Sequence, residues 1–207
     1  MKINKNIVLI IITLLLIVGI YFLGEYLTKN KKDKVKYDED MKYVQITVKN
    51  YGDIIVELDP KNAPITVENF LKLVNEHFYD GVTFHRIIDG FMIQSGEYDE
   101  EGNKKTSDKI KGEFIQNNVN NEIKHTRGTI SMVRDVIDFD SASCGFFILQ
   151  EDNEYLDGTY AAFGKVISGM DIIDKIVKDS HPTDDNGSIA IEDRQVIETI
   201  KEIEVTK

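Results

Sequence analysis

The sequence predicts a mainly β fold, a closed antiparallel barrel with α-helices at its ends. Apolar and polar residues alternate from Tyr43 to Val48, the period of a half-buried strand. Further short apolar runs follow, set off by polar segments and glycines. Only two segments carry helical spacing, and they lie far apart in the chain. Many short strands with two separated helices point to a barrel, which leaves no open sheet edge.

The elements follow in order. Asn50-Tyr51-Gly52-Asp53 supplies a turn, and Ile54 to Leu58 a second strand, which together predict a hairpin. Thr66 is placed to cap a helix, since its hydroxyl can accept an orphan N–H of the first turn. Val67, Phe70, Leu71, Val74 and Phe78 then form one apolar face, and Gly81 is the expected stop. Val82 to Ile88 and Phe91 to Gln94 read as two short β runs hinged at Gly90, and residues 97–112 as a long polar loop. Strands are expected from Gly128 to Val133, Phe146 to Leu149 and Ala161 to Val166. Ser168-Gly169-Met170-Asp171 reads as a capping box in its acidic form, opening a helix with Ile172, Ile173, Ile176 and Val177 on one face. Ile197 to Val205 closes the domain.

Three parts are expected: a membrane anchor over residues 1–28, a charged linker over 29–41 and a folded domain over 42–207. The anchor rests on Ile7–Leu23, an apolar run broken only by Thr13, Gly19 and Tyr21. As a helix it would reach roughly 26 Å, close to the ~30 Å hydrocarbon core of a bilayer. No small-residue cleavage site follows it, so an uncleaved single-pass transmembrane helix is expected. A short basic N-terminus before an apolar run is the layout of an export signal, which places the domain outside the cytoplasm at the cell membrane.

The formal net charge of -11 is unevenly spread. Residues 1–36 hold seven Lys against Glu25 and Asp33, a balance of +5, so the remainder carries -16. A domain that acidic would repel nucleic acid, and no nucleic-acid partner is expected. Cys144 is the only cysteine, which excludes an internal disulfide and a cysteine zinc site. It reads as a small buried apolar residue. His77, His125 and His181 lack metal-ligand spacing, Ser141 and Ser143 sit in no nucleophile elbow, and no cofactor is expected.

The most informative stretch is Phe84-His85-Arg86-Ile87-Ile88-Asp89-Gly90-Phe91-Met92-Ile93-Gln94. It sets one cation and one carboxamide among large apolar side chains. Charge amid apolar surface is costly unless paired or used, so Arg86 is expected to serve recognition of an apolar, uncharged group with an amide to grip. His85 reads as a structural histidine of a strand.

Four ordered blocks carry a family resemblance: Phe78-Tyr-Asp-Gly-Val-Thr-Phe-His-Arg-Ile-Ile-Asp-Gly-Phe-Met-Ile-Gln94, Lys124-His-Thr-Arg-Gly-Thr-Ile-Ser-Met132, Ser141-Ala-Ser-Cys-Gly-Phe-Phe-Ile148 and Leu156-Asp-Gly-Thr-Tyr-Ala-Ala-Phe-Gly-Lys-Val166. In them, residues 43–207 resemble a cyclophilin-type peptidyl-prolyl cis-trans isomerase of the small bacterial kind. The resemblance implies a closed eight-stranded barrel capped by two helices, acting on proline-containing polypeptides as a monomer. Carried over by motif, Arg86, Phe91 and Gln94 would be catalytic. Met92, Val133, Arg134, Gly145, Phe147, Tyr155, Leu156 and Tyr160 would bind substrate, with Val133 and Arg134 acting largely through backbone atoms. The departures are Gly145, where the family usually has Gln, Tyr160 for a frequent His, Tyr155 for an occasional Trp, and Asp99–Ser107 in place of a glycine-rich loop. Segment 134–140 is also about one residue longer than usual. Gly145 motivates an alternative reading, a catalytically weak proline-peptide-binding chaperone module on the same fold.

Overall fold

The computed structural model describes residue 38 and residues 40–204. The expected anchor and nearly all of the charged linker lie outside these residues. Among the described residues, no helix is long and apolar enough to cross a membrane.

The strands are β1 (Lys42–Val48), β2 (Gly52–Leu58), β3 (Thr83–Phe84), β4 (Arg86–Ile88), β5 (Met92–Ser95), β6 (Thr129–Met132), β7 (Phe146–Leu149), β8 (Ala162–Ser168) and β9 (Gln195–Glu202). They pair antiparallel in one sheet, in the order β3-β9-β1-β2-β8-β6-β7-β5-β4. The barrel is therefore nearly closed and nine-stranded, where eight closed strands were expected. The extra strand comes from His85, at which the run Val82–Ile88 changes partners. Thr83 and Phe84 pair with β9, whereas Arg86 to Ile88 pair with β5. The two ends of the sheet are thus one residue apart in the chain.

Helix α1 (Pro64–Asn75) starts earlier than expected, with Ala63 at its N-cap and Pro64 at the first position, where the missing N–H costs nothing. Thr66 lies inside the first turn and is not the cap. Its N–H and hydroxyl both donate to the buried carboxylate of Glu113 at 2.7 Å, and the Ile65 N–H donates to the same group at 3.0 Å. A carboxylate from a distant loop thus satisfies the orphan donors at the positive end of the helix dipole. The helix stops before Gly81. His77 takes φ 55°, and the N–H groups of His77 and Phe78 bond back to Val74 and Leu73, a Schellman ending. Helix α2 (Met170–Asp179) has Gly169 at its N-cap with φ 96° and no side-chain cap, so the Ser168 capping box does not form. A Cβ at Gly169 would meet the Asp53 oxygen and Ile54 Cα at 2.9 Å, so close packing on the β1–β2 hairpin sets that position.

Two rows of residues run across β4, β5, β7 and β6. Ile87, Ile93, Ile148 and Ile130 are directly opposed and fully buried, and they join Phe70, Phe146 and Phe163 in the main core. Each such side chain contributes about 1.5–3 kcal/mol by leaving water. Their neighbours along the strands, Arg86, Gln94, Phe147 and Ser131, form the second row on the opposite face.

Candidate active site

That outer row carries a second, smaller apolar cluster. Met92, Phe147 and Leu149 are buried in it, and Ile88, Phe91, Val133, Leu156 and Tyr160 pack against them. Above this floor lies an open cleft of about 230 Å³ lined by Arg86, Phe91, Met92, Gln94, Val133, Arg134, Phe147, Leu156 and Tyr160. The Phe147 ring meets Tyr160 edge-on at 5.8 Å, giving the slot an aromatic wall.

Arg86 enters the cleft from β4. Its Nε donates to the Asn186 backbone oxygen at 2.7 Å, and its Nη1 donates to Gln94 Oε1 at 3.1 Å. Among the described residues it forms no ion pair. The rest of its planar fork remains available to a ligand. The loop bearing Asn186 lies so close that a Cβ at Gly187 would sit 2.3 Å from the Ile87 oxygen.

Two histidines back the site without entering it. His85 is packed against Tyr98 at 4.8 Å, and burial with nearby Arg194 holds its pKa down to about 4, so it is uncharged at neutral pH. His125 stacks on Phe147 at 6.4 Å, with Nε2 3.1 Å from Ser131 Oγ and Nδ1 3.2 Å from Asp157. Burial lowers its pKa despite the opposing pull of Asp157. Ser131 is fully buried beneath Phe147, so this Ser-His-Asp row braces the slot and exposes no nucleophile.

Of the eleven residues singled out from sequence, the cleft brings nine together. Tyr155 is not among them. It is 88% exposed and borders a neighbouring depression with Lys124, Thr126 and Asp157. Gly145 also lies off the cleft, buried at the head of β7, where a Cβ would meet the Glu97 side chain at 3.0 Å. The Arg134 side chain, and not only its backbone, borders the cleft. Its guanidinium lies over the rings of Phe114, Phe139 and Tyr160 at 5.0, 4.9 and 4.5 Å and donates to the Thr159 oxygen at 2.9 Å. Asn186 and Glu97 were missed. Asp185-Asn186-Gly187 carries a turn signal, but nothing local ties it to Arg86.

The cleft is thus a shallow slot with an apolar floor and the Arg86 guanidinium and Gln94 carboxamide on its rim, and among the described residues neither Arg86 nor Arg134 forms an ion pair. The cyclophilin type peptidyl-prolyl cis-trans isomerase/CLD family matches residues 43–203. Peptidyl-prolyl cis-trans isomerase A of Dickeya dadantii is 42% identical over 130 residues, 60% of this chain and 66% of that protein. Peptidyl-prolyl cis-trans isomerase B of Escherichia coli is 42% identical over 135 residues, 61% of this chain and 79% of that protein. Thus the chain spans between about two thirds and four fifths of these relatives. A solved cyclophilin type isomerase from Cryptosporidium parvum aligns with a TM-score of 0.66 at 26% identity, covering 80% of this chain and 99% of that one. The same parasite enzyme has been solved in the presence of the dipeptide Ala-Pro. The chain belongs to the cyclophilin-type peptidyl-prolyl cis-trans isomerase family and is an enzyme of that class.

Proposed function

We propose that the cleft binds X-Pro segments of polypeptides and accelerates their cis/trans interconversion, with the domain tethered to the outer side of a membrane. The observation that carries the site assignment is Arg86, held by Asn186 and Gln94 and otherwise unpaired above an apolar floor. Rotation about the X-Pro bond is opposed by amide resonance, with a barrier of about 18–20 kcal/mol. No covalent bond breaks, so neither a nucleophile nor a proton relay is required. The proline ring enters the slot formed by Phe91, Met92, Phe147 and Leu156. Arg86 then donates to the proline nitrogen, whose lone pair becomes basic only as the bond twists. That contact is stronger in the twisted state than in either planar one, which is what lowers a barrier. Gln94 and the backbone near Val133 hold the flanking chain.

The Ala-Pro dipeptide used with the parasite relative supports a proline-containing ligand. The tether rests on the Ile7–Leu23 run, and the domain is read as acting as a monomer. Full-length protein in a proline-peptide isomerisation assay tests the activity. Acceleration that is lost in Arg86→Ala is expected. Binding of a proline peptide without acceleration would replace the enzyme by a peptide-binding module. Protease treatment of intact cells tests the tether, and a protected domain would reverse the orientation.

A further inference from the structure

Glu97 stands directly behind Gln94. Gln94 Nε2 donates to Glu97 Oε2 at 3.1 Å, while Gln94 Oε1 accepts from Arg86 Nη1 at 3.1 Å. A carboxylate can only accept and a guanidinium can only donate, so the carboxamide between them has one orientation. Gln94 Nε2 also lies 3.3 Å from Nε2 of His85, which accepts its second N–H when the neutral imidazole carries its proton on Nδ1. In that tautomer both amide donors are used inside the protein.

Glu97 has no cation of its own among the described residues: His85, at 3.7 Å, is neutral, and no Lys or Arg lies within 4.0 Å. Its side chain is only 22% exposed. This partly buried carboxylate, without a countercharge within 4.0 Å, is engaged by the Gln94 amide. Gly145 leaves room beside it that any larger residue would crowd. A Cβ there would stand 3.0–3.1 Å from Glu97 Cγ, Cδ and Oε2.

We infer that Glu97 is a positioning residue for the isomerisation: it locks the Gln94 carboxamide with Oε1 toward Arg86, and Gly145 gives it the room to do so. Without Glu97 the amide can turn over and present Nε2 to the guanidinium. Two donors would then face each other, and the fork would swing off the proline slot. The inference rests on the isomerase reading above. It also recasts Gly145, whose missing side chain makes way for an anchoring carboxylate.

A double-mutant cycle in full-length protein tests this. Glu97→Ala is expected to lower kcat about tenfold with KM within about twofold, because orientation and not substrate binding is lost. In a Gln94→Ala background the same substitution should change kcat by less than about twofold. Gly145→Val should reproduce the kcat loss by displacing the carboxylate, which covers the case in which Glu97→Ala does not fold. An equal loss from Glu97→Ala in both backgrounds, no loss in either, or a folded Gly145→Val protein with full kcat would overturn the proposal. No acceleration by the unmodified protein would remove the isomerase reading and this inference with it. Independent effects of Glu97→Ala and Gln94→Ala in an active protein would remove only the inference.

Discussion

Arg86 Nε donates to the backbone oxygen of Asn186 at 2.7 Å, although 100 residues separate them in the chain. The bond holds the guanidinium by its stem side while Nη1 reaches Gln94 on the rim of the cleft. Arg86→Ala is expected to reduce kcat/KM by about 100-fold or more, the scale of one lost oriented donor. Arg86→Lys should not restore it, since an ammonium cannot bond Asn186, Gln94 and a substrate nitrogen in one plane. Melting temperature should move by no more than about 4 °C in either variant. A proline-peptide assay beside thermal melts checks all of this.

Phe147 is both floor and wall of the slot, with His125 stacked behind it and Tyr160 edge-on in front. Phe147→Ala should raise KM and destabilise the domain by about 3 kcal/mol, the low end for a buried aromatic. Phe147→Leu should recover most of the stability and little of the activity. Urea unfolding and steady-state kinetics separate the two effects.

Glu113 closes the N-terminus of α1 through three donors from Ile65 and Thr66. Glu113→Ala would strand the Thr66 N–H and hydroxyl in a buried site and is expected to cost about 3 kcal/mol. Thr66→Val, which removes only the hydroxyl, should cost less. Activity should be unchanged at temperatures where the variants remain folded.

His85 sets a pH dependence. Its folded pKa lies near 4 against an unfolded value of 6.5, so the unfolded chain takes up the proton first. Its contribution is fully present above pH 6.5 and is lost as pH falls toward 4, by about 1.4 kcal/mol per unit. Between pH 7 and 4.5, wild type should therefore lose about 2 kcal/mol more than a His85→Gln variant. Urea titrations at the two pH values measure the difference.

Much of the architecture was legible because it rests on local periodicity. The alternation at Tyr43–Val48 and the faces of both helices correspond to strands and helices in the structure. The helix ends were not legible. The first turn of α1 is satisfied by Glu113, 47 residues from Thr66, and α2 begins at a glycine that closely approaches Ile54. Likewise, the partner change at His85 depends on which strands lie alongside, not on the run itself. Arg86, Phe91, Met92 and Gln94 were visible because they share one short segment whose chemistry is unusual. Asn186 and Glu97 act through contacts made only after folding, and Tyr155 beside Leu156 shows that adjacency in a 3₁₀ turn sends neighbours to different surfaces.

The alternation along β4, β5, β7 and β6 also limits how the site can vary. Arg86, Gln94 and Phe147 stand one position from Ile87, Ile93 and Ile148, on opposite sides of the same strands. Rim residues such as Arg86 and Gln94 can be exchanged without repacking the main core, so ligand preference is free to drift there, whereas the buried Phe147 is held by its packing. Sliding any one strand by a single residue, however, would turn an isoleucine to water and drive a guanidinium or carboxamide into the barrel. Insertions and deletions should thus be confined to the loops around the cleft, and the rim can diversify while the floor keeps its register.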